Sequence, residues 1–349
     1  AARPRLSLVQ CVAEAERTYP GMAAARHKIA ASEAQLNEAW VAPFLNVSTT
    51  GVLSISPTAR GNSTYSPDAF GQNPFLNDVS YLTRWTIETG VPVSPWTWYR
   101  LGRVRDAARA GVRANEFEAV KTRLELRTNV RRAFFALQLA RDTQYLLDRA
   151  KGYLDEAERH INTLRDSDAG AVSQNDLRQL RMNRYELQAR KSEADRGEAT
   201  ARTTLGLLTG VGDAIDIVDE PLCPYGTTLH PLVHYLTEAR LNRPEVGMIR
   251  AGVSAREAAR SIQRGAYFPD IALGMSVGIA SAPTISEQPN PFSANNSNYA
   301  FWGAALVLRW NFEPLANTFR VRRLTEELAM TEAQQRLALG GIAVEVTGV

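Results

Sequence analysis

Two hydrophobic patterns alternate along the chain. In long stretches apolar residues recur every three or four positions, which predicts amphipathic helices, and in four short stretches apolar and polar residues alternate, which predicts strands. The first helical pattern runs from Leu6 to Trp40 and is interrupted at Pro20, because proline removes a backbone donor. The four strands are expected at about 44–56, 80–93, 269–281 and 299–312.

The order helix, strand, loop, strand, helix occurs twice, which indicates an internal repeat. Leu8 and Pro20 in the first copy correspond to Leu232 and Pro244 in the second copy at one constant offset. The second copy has no counterpart of the helix that ends the first, so we expect the sequence to be C-terminally incomplete. The predicted division is a first repeat at 1–210, a linker or equatorial segment at 211–230 and a second repeat at 231–349.

The longest helical stretch has no proline between Trp98 and Leu164. At ~1.5 Å per residue it would be on the order of 100 Å long, several times the usual globular helix. Turn-forming residues follow, and a second helical pattern runs to Leu208. Residues 98–208 are therefore predicted to form a helical hairpin, with a coiled-coil seam that uses alanine as often as leucine.

The two faces of the predicted strands differ in polarity. One face is apolar and carries aromatic side chains of the kind that flank a lipid bilayer, and the other is small or polar, as a water-filled lumen requires. The predicted lipid-interface aromatics are Tyr81, Trp85, Trp302, Trp310 and Phe312. Arg84 and Glu88 fall on the polar face and are predicted to face the lumen. Four strands are too few to close a barrel, so the pattern favours an oligomer that pools them.

Composition and charge narrow the function classes. The 349 residues include 40 Lys and Arg against 37 Asp and Glu, a formal net charge of +3, and bases and acids are interleaved along the chain. This balance gives nucleic-acid binding almost no support. No run of residues approaches the ~18 to 20 consecutive apolar positions of a membrane-spanning helix, which excludes a helical membrane protein but leaves a membrane barrel open.

Few residues suggest chemistry. His230 and His234 have a spacing that metal ligands use, but no carboxylate or cysteine accompanies them, and a position at a helix start is the favoured interpretation. Cys11 and Cys223 are expected to be two unpaired thiols. No Ser/His/Asp, Cys/His or glycine-rich phosphate motif has a supporting context. We therefore expect no catalytic residue, no metal and no cofactor. We also expect that the protein is not an enzyme.

Several local motifs occur in one order along essentially the whole chain. They are the proline steps into strands at Pro43 and Pro269, the segment PWTWYRLGR at 95–103, the sequence GAVSQNDL at 170–177 and the ending LGLLTG at 205–210. Together they resemble the TolC family of outer-membrane efflux proteins. The stretch Tyr99 to Gly102 departs from the family's more usual version, which has phenylalanine, aspartate and glycine there.

The resemblance implies a mainly α fold with a β-barrel portion. Long antiparallel helical hairpins would form an α-barrel tunnel, and a homotrimer would pool four strands per chain into a 12-stranded transmembrane β-barrel. Such a channel lies in the outer membrane of a Gram-negative bacterium and extends into the periplasm. It is the exit duct of a tripartite efflux pump or a type I secretion system, and it meets a periplasmic adaptor protein and, indirectly, an inner-membrane pump.

The resemblance also assigns positions to particular residues. The residues expected at the adaptor-contacting hairpin tip are Gly170, Ala171, Val172, Ser173, Asp176 and Leu177. The residues expected near the inner lipid interface, where helix becomes strand, are Trp40, Phe44, Tyr267 and Phe268.

A second function class stays open at the level of sequence. It is a soluble, elongated coiled-coil scaffold or periplasmic adaptor, whose strands would pack as an ordinary small sheet. The aromatic residues on the strands distinguish the two classes. A duct needs Trp85, Trp302 and Trp310 to face lipid, whereas a scaffold must bury them.

Overall fold

The computed structural model of this chain covers most of the sequence. It describes residues 5–44, 46–57, 79–166, 174–212, 215–218, 220–222, 226, 228–282 and 298–348. The composition predicts Pro/Asn/Ser-rich loops at 57–78 and 282–297, and residues 58–78 and 283–297 lie outside this set, as does Cys223.

Helices account for most of the described chain, and strands are few. The helices are α1 (Leu8–Thr18), α2 (Pro20–Val41), α3 (Pro95–Asp166), α4 (Gln174–Thr209), α5 (Leu232–Asn242), α6 (Pro244–Gly265) and α7 (Pro314–Thr347). The strands are β1 (Arg5–Leu6), β2 (Val47–Pro57), β3 (Val79–Pro92), β4 (Asp216–Ile217), β5 (Asp270–Ser281) and β6 (Tyr299–Arg309).

Prolines divide the helices at equivalent places in the two repeats. Helix α1 ends at Thr18 and α2 begins at Pro20, and in the second repeat α5 ends at Asn242 and α6 begins at Pro244. The break predicted at Pro20 is therefore confirmed. The start of α1 is fixed by a capping box in which the Ser7 side chain accepts a hydrogen bond from the Gln10 backbone N–H, and the Gln10 side chain accepts one from the Ser7 backbone N–H.

The chain divides into two compact units. Unit 1 comprises residues 1–30, 115–248 and 341–349, and unit 2 comprises residues 31–114 and 249–340. Helices α2, α3, α6 and α7 contribute residues to both units.

Unit 1 contains the main buried cluster. Its buried members are Cys11, Ala15, Met22, Leu126, Val130, Ala133, Phe134, Leu137, Ala201, Leu205, Leu208, Ile215 and Ile217. A two-stranded parallel ladder borders the cluster, with Leu6 of β1 opposite Ile217 of β4. The sequence pattern predicted that Leu6 begins a helix, and this prediction is wrong because Leu6 is paired with a strand some 210 positions later in the chain, which no local pattern reveals.

Cys11 lies in the centre of this cluster as a fully buried, free thiol. Burial disfavours the charged thiolate and raises the pKa of Cys11 to about 11. The side chain therefore acts as a small apolar group in the core.

Helices α3 and α4 form the predicted hairpin, and the structure describes α3 up to Asp166 and α4 from Gln174 onward. Opposite charges join them in unit 1, where Arg184 of α4 pairs with Asp155 and Glu158 of α3. Helix α4 ends at Thr209, and Gly210 follows with φ = 69°, a left-handed conformation that glycine adopts without a steric penalty.

Unit 2 contains a four-stranded antiparallel sheet with the strand order β2-β3-β5-β6. Each strand hairpin comes from one repeat, and the two hairpins meet where β3 pairs with β5. Strand β6 ends at Arg309, three residues earlier than the alternation suggested, so Trp310 and Phe312 lie between the strand and the helix that begins at Pro314.

Candidate functional site

The register of the sheet gathers the apolar residues of all four strands on one face. Cross-strand partners in an antiparallel sheet lie on the same face, and side chains alternate along each strand. Trp85 is opposite Gly51 on one side and Ile279 on the other, and Val277 is opposite Trp302. The apolar face consists of Val47, Thr49, Gly51, Leu53, Ile55, Tyr81, Thr83, Trp85, Ile87, Thr89, Val91, Ile271, Leu273, Met275, Val277, Ile279, Trp302, Ala304, Leu306 and Leu308.

Most of the large side chains on this face are exposed in the single chain. Trp302 is 82% exposed, Leu53 is 73% exposed and Leu306 is 69% exposed. A continuous apolar face that crosses four strands is far larger than the scattered apolar residues of an ordinary protein surface. Such a face requires a covering partner, and lipid or protein could supply it.

The predicted aromatic residues occupy different levels of the sheet. Tyr81 and Trp85 lie on β3, and Trp302 lies level with Ile87, near the middle of that strand. Trp310 and Phe312 lie beyond the end of β6, where their rings pack together with centroids 4.7 Å apart. The structure therefore spreads the aromatics along the sheet, with one pair next to α7.

The opposite face of the sheet is composed mainly of small and polar residues. Arg84 and Glu88 both lie on it, as the alternation predicts, since Arg84 is opposite Ala280 and Glu88 is opposite Ser48 and Ser276. Arg84 lies 6.0 Å from the centroid of the Tyr299 ring. This face combines charge, hydroxyl groups and glycine, so it is compatible with water.

Two glycines provide space for aromatic rings across the strands, and the sequence analysis did not identify them. A Cβ atom added to Gly51 would lie 2.9 Å from Cζ3 of Trp85, and one added to Gly278 would lie 2.9 Å from Cζ of Phe301. Each ring therefore covers a glycine of the neighbouring strand. The Gly51–Trp85 pair lies on the apolar face of the sheet and the Gly278–Phe301 pair lies on the polar face. A glycine inside a strand pattern was the available signal.

Aromatic residues also cluster where the helices meet the strands. The ring of Trp96 stacks on Phe268 at 4.3 Å between centroids, and Phe44 lies 5.5 Å from Trp98. The guanidinium of Arg105 lies 3.9 Å from the centroid of the Trp40 ring. The Tyr267 hydroxyl is 2.9 Å from that of Thr318. Trp40, Phe44, Tyr267 and Phe268 thus all lie at helix-to-strand junctions, and their position near the inner lipid interface stays a prediction.

The predicted adaptor-contacting tip is only partly within the described chain. Gly170, Ala171, Val172 and Ser173 lie outside it. Asp176 and Leu177 are in the first turn of α4, where Asp176 is exposed and Leu177 is half-buried. An acidic residue in this position interacts favourably with the positive end of the helix dipole.

The described residues offer no evident metal centre. The rings of His230 and His234 have centroids 4.9 Å apart, but no group of three or more His, Cys, Asp or Glu side chains within the described ranges is arranged to hold a metal ion. Among all the residues that the structure describes, no helix is both long enough and apolar enough to cross a membrane.

The fold of this chain is similar to several solved structures of outer-membrane proteins. The chain is similar to the outer-membrane channel OprN, with a TM-score of 0.73 and 16% identity over 98% of this chain and 73% of that one. It is similar to the CmeC outer membrane channel of Campylobacter jejuni, with a TM-score of 0.71 and 15% identity over 98% and 68%. It is also similar to the outer membrane protein VceC of Vibrio cholerae, with a TM-score of 0.67 and 16% identity over 96% and 75%.

This chain has the fold of the TolC-like outer-membrane channels. No protein-family model matches the sequence, and no curated protein matches it. The resemblance inferred from the local motifs is thus confirmed at the level of the fold, at an identity where sequence comparison alone detects little. The TolC-like fold also accounts for the doubled hairpin and the long helices that continue from the strands.

Proposed function

We propose that the protein is a passive channel of the bacterial outer membrane, with a helical tunnel that extends into the periplasm. The observation that carries this proposal is the exposed apolar face of the four-stranded sheet, backed by a small and polar face. In a channel the first face contacts lipid and the second lines a water-filled lumen. The TolC-like fold supports the same assignment.

The proposed assembly is a homotrimer in which three sheets join into one 12-stranded barrel. In the described chain the outer strands β2 and β6 pair on one side only, so each sheet presents two open edges. Open edges are not tolerated in the hydrocarbon core of a membrane, because their backbone N–H and C=O groups have no water to bond with. Joining β6 of one protomer to β2 of the next removes every edge.

The assigned residues follow from this assembly. Arg84 and Glu88 line the lumen, and Tyr81, Trp85, Trp302, Trp310 and Phe312 contact lipid or its interface. The two repeats, 1–210 and 231–349, each supply one strand hairpin and its flanking helices, with 211–230 as the equatorial connection.

We further propose that the channel is the exit duct of a tripartite efflux pump or a type I secretion system. The tip at Gly170 to Leu177 would contact a periplasmic adaptor protein, which connects the duct to an inner-membrane pump. In this role the protein performs no chemistry and needs no cofactor. The support is the TolC-like fold together with the tip sequence.

The alternative of a soluble coiled-coil scaffold has less support. A scaffold must bury Trp85, Trp302 and Trp310, but their exposed fractions in the chain are 54%, 82% and 49%. Within the described residues of unit 2, no helix packs across the apolar face of the sheet to cover it. A membrane accounts for that exposure without a further partner.

A pair of adjacent substitutions tests the lipid-facing assignment. Leu306 lies on the apolar face, opposite Leu273, and Val307 lies on the polar face, opposite Ala272. Leu306→Arg should cost about 2–4 kcal/mol per chain if that side chain faces the middle of a bilayer. We expect the outer-membrane fraction of cells that express this variant to contain little trimer. The amount of trimer is measured by gel electrophoresis of unheated samples.

Val307→Arg is the matched control, because it places the same charge on the same strand. On the polar face the arginine would contact water, so trimer and membrane fraction should stay near the wild-type amounts. Equal loss in both variants, or in neither, would contradict the assignment of the two faces.

A further inference from the structure

The helical part of unit 2 contains a large cavity that the channel function does not require. It has a volume of about 820 Å³ and lies between α2, α3 and α6. Its charged lining residues are Arg103, Asp106, Arg109, Arg113, Glu257 and Arg260. This volume is within the range of ~300–1,000 Å³ that small-molecule sites occupy.

Two of the three surrounding helices are rich in arginine. Residues 95–113 of α3 and 249–265 of α6 together contain nine arginines and two acids, whereas residues 31–41 of α2 contain two acids and no base. The two acids of α3 and α6 are Asp106 and Glu257, and both line the cavity. Four arginines against two carboxylates leave the cavity lining with an excess of two positive charges.

One carboxylate holds two of the arginines. Asp106 Oδ2 accepts from Arg103 Nη1 at 3.2 Å, and Asp106 Oδ1 accepts from Arg109 Nη1 at 3.1 Å. Aromatic rings support both guanidiniums, since Arg103 lies 5.2 Å from the centroid of Tyr99 and Arg109 lies 5.6 Å from that of Trp40. The two side chains are therefore held in place at the wall of the cavity.

The other two arginines lack a compensating charge. Neither Arg113 nor Arg260 forms an ion pair with any of the residues that the structure describes, and the Nε atom of Arg260 is buried without a hydrogen-bond partner. A buried donor without a partner is costly, so such atoms usually have a ligand or a water. Arg260 thus provides an unmet donor at the wall of a cavity with excess positive charge.

We propose that this cavity binds an organic anion with a phosphate or carboxylate group and an apolar body. The guanidinium groups of Arg113 and Arg260 would bind the oxygens, because the planar arginine fork matches phosphate and carboxylate geometry. Leu36, Val112 and Ala258 supply apolar lining for the rest of the molecule. A free phosphate alone would leave most of 820 Å³ unfilled. The proposal concerns one chain and does not depend on the trimer or on transport.

Calorimetry on the purified protein in a nonionic detergent tests the proposal. The probes are hexyl phosphate, inorganic phosphate and hexanol, which separate the charge from the apolar body. Hexyl phosphate should bind more tightly than inorganic phosphate, and hexanol should not bind measurably. No binding of hexyl phosphate by the wild type at millimolar concentration would overturn the proposal.

Substitutions identify the site. Arg113→Gln and Arg260→Gln should each weaken hexyl phosphate binding by about tenfold, the effect of losing one charge-assisted hydrogen bond. Arg190→Gln is the matched control, because Arg190 is an exposed arginine of α4 in the other unit and its loss should leave affinity unchanged. Equal affinities in all three variants would contradict the site.

One variant has the opposite expected sign, so misfolding cannot mimic it. Glu257→Gln removes a carboxylate from the cavity wall, and hexyl phosphate should then bind about threefold more tightly because a repulsive charge is gone. Unchanged or weaker binding would overturn the proposal.

The same anion chemistry could come from a membrane lipid or from a diffusing molecule. Native mass spectrometry distinguishes these two sources. If the source is lipid, the wild type retains phosphatidylglycerol but not phosphatidylcholine, and Arg260→Gln loses that retention. If the source is a diffusing anion, neither lipid is retained while hexyl phosphate still binds.

Discussion

Arg141 of α3 lies between two carboxylates in unit 1. Its guanidinium donates to Asp216 Oδ1 of β4, and its Nε atom lies 3.5 Å from Glu198 Oε1 of α4. Glu198 is also paired with Arg202, and Asp216 with Arg5. The network joins the parallel ladder to both helices of the hairpin, although no sequence motif marks it.

The pKa of the Asp216 carboxyl reports the balance of forces in this network. Burial tends to raise the pKa, but the hydrogen bond and charge of Arg141, the backbone N–H of Ile217 and the charge of Arg202 together outweigh it, so the pKa is below its usual value of 3.8. A carboxyl whose pKa is lowered by folding stabilises the folded state above pH 3.8. That stabilisation is lost as the pH falls from there through the lower pKa of the folded state.

Replacing Asp216 with asparagine should destabilise unit 1. Asp216→Asn leaves the partly buried Arg141 without its main partner, and we expect a loss of about 1–3 kcal/mol in the free energy of unfolding at neutral pH. The variant should also lose less stability than the wild type on acidification below pH 3.8. Urea titration of the detergent-solubilised protein, followed by circular dichroism, measures both quantities.

Glu193→Gln is the control for this prediction. Glu193 and Arg190 form an exposed i,i+3 pair, with 63% and 65% of their side chains exposed. Exposed pairs contribute about 0.2–1 kcal/mol at most. A loss as large as that of Asp216→Asn would show that the network has no special role.

At the scale of elements, the end of α4 depends on a glycine that packs against backbone. A Cβ atom on Gly206 would lie 2.7 Å from the carbonyl carbon of Gly212, and Gly206 is buried. A Cβ atom on Gly197, in the same helix, would have nothing within 4 Å. The chain after α4 can therefore pack this closely against the helix only because residue 206 has no side chain.

The two glycines should respond to alanine with opposite signs. Gly206→Ala should destabilise by about 1–3 kcal/mol because backbone must shift to admit the methyl group. Gly197→Ala should stabilise by up to about 1 kcal/mol because alanine has the higher helix propensity. Thermal unfolding of both variants measures the difference, and equal effects would indicate that the Gly206 contact is relaxed in solution.

The strands and the long helices were predictable because their signals are periodic and local. An alternation of two fixes which residues share a face, so Arg84, Glu88 and Trp85 were assigned to the correct faces without knowledge of strand pairing. The end of β6 was less predictable, because Trp310 and Phe312 continue the alternation but have left the ladder. Periodicity indicates the face of a residue and not whether its backbone is paired.

At the scale of the whole molecule, the open edges of the sheet determine the expected assembly. Four strands with an exposed apolar face are stable in a membrane only if neighbouring chains pair with β2 and β6. If three chains join as proposed, light scattering of the detergent complex should give a protein mass three times that of the 38.5 kDa chain. A monodisperse monomer that needs no detergent would contradict the channel proposal and favour a scaffold.

The sequence contained only part of the signal for the arginine-lined cavity, namely the local excess of arginine in 95–113 and 249–265. Over the whole chain the bases and acids nearly balance, and we described them as interleaved. That description does not hold for the cavity, because α3 and α6 bring together arginines that are about 150 positions apart. Net charge reports a sum and carries no information on which residues become neighbours.

The sequence by itself determined the periods of the chain: where the long helices and the four long strands lie, which strand residues share a face, and that the plan occurs twice. These features follow from local geometry, 3.6 residues per helical turn and two per strand repeat. Only the tertiary structure decided that β1 pairs with β4, that Gly206 packs against Gly212 and that Arg113 and Arg260 line one cavity. Each of these depends on segments far apart in the chain that meet only when it folds, so no local period encodes them.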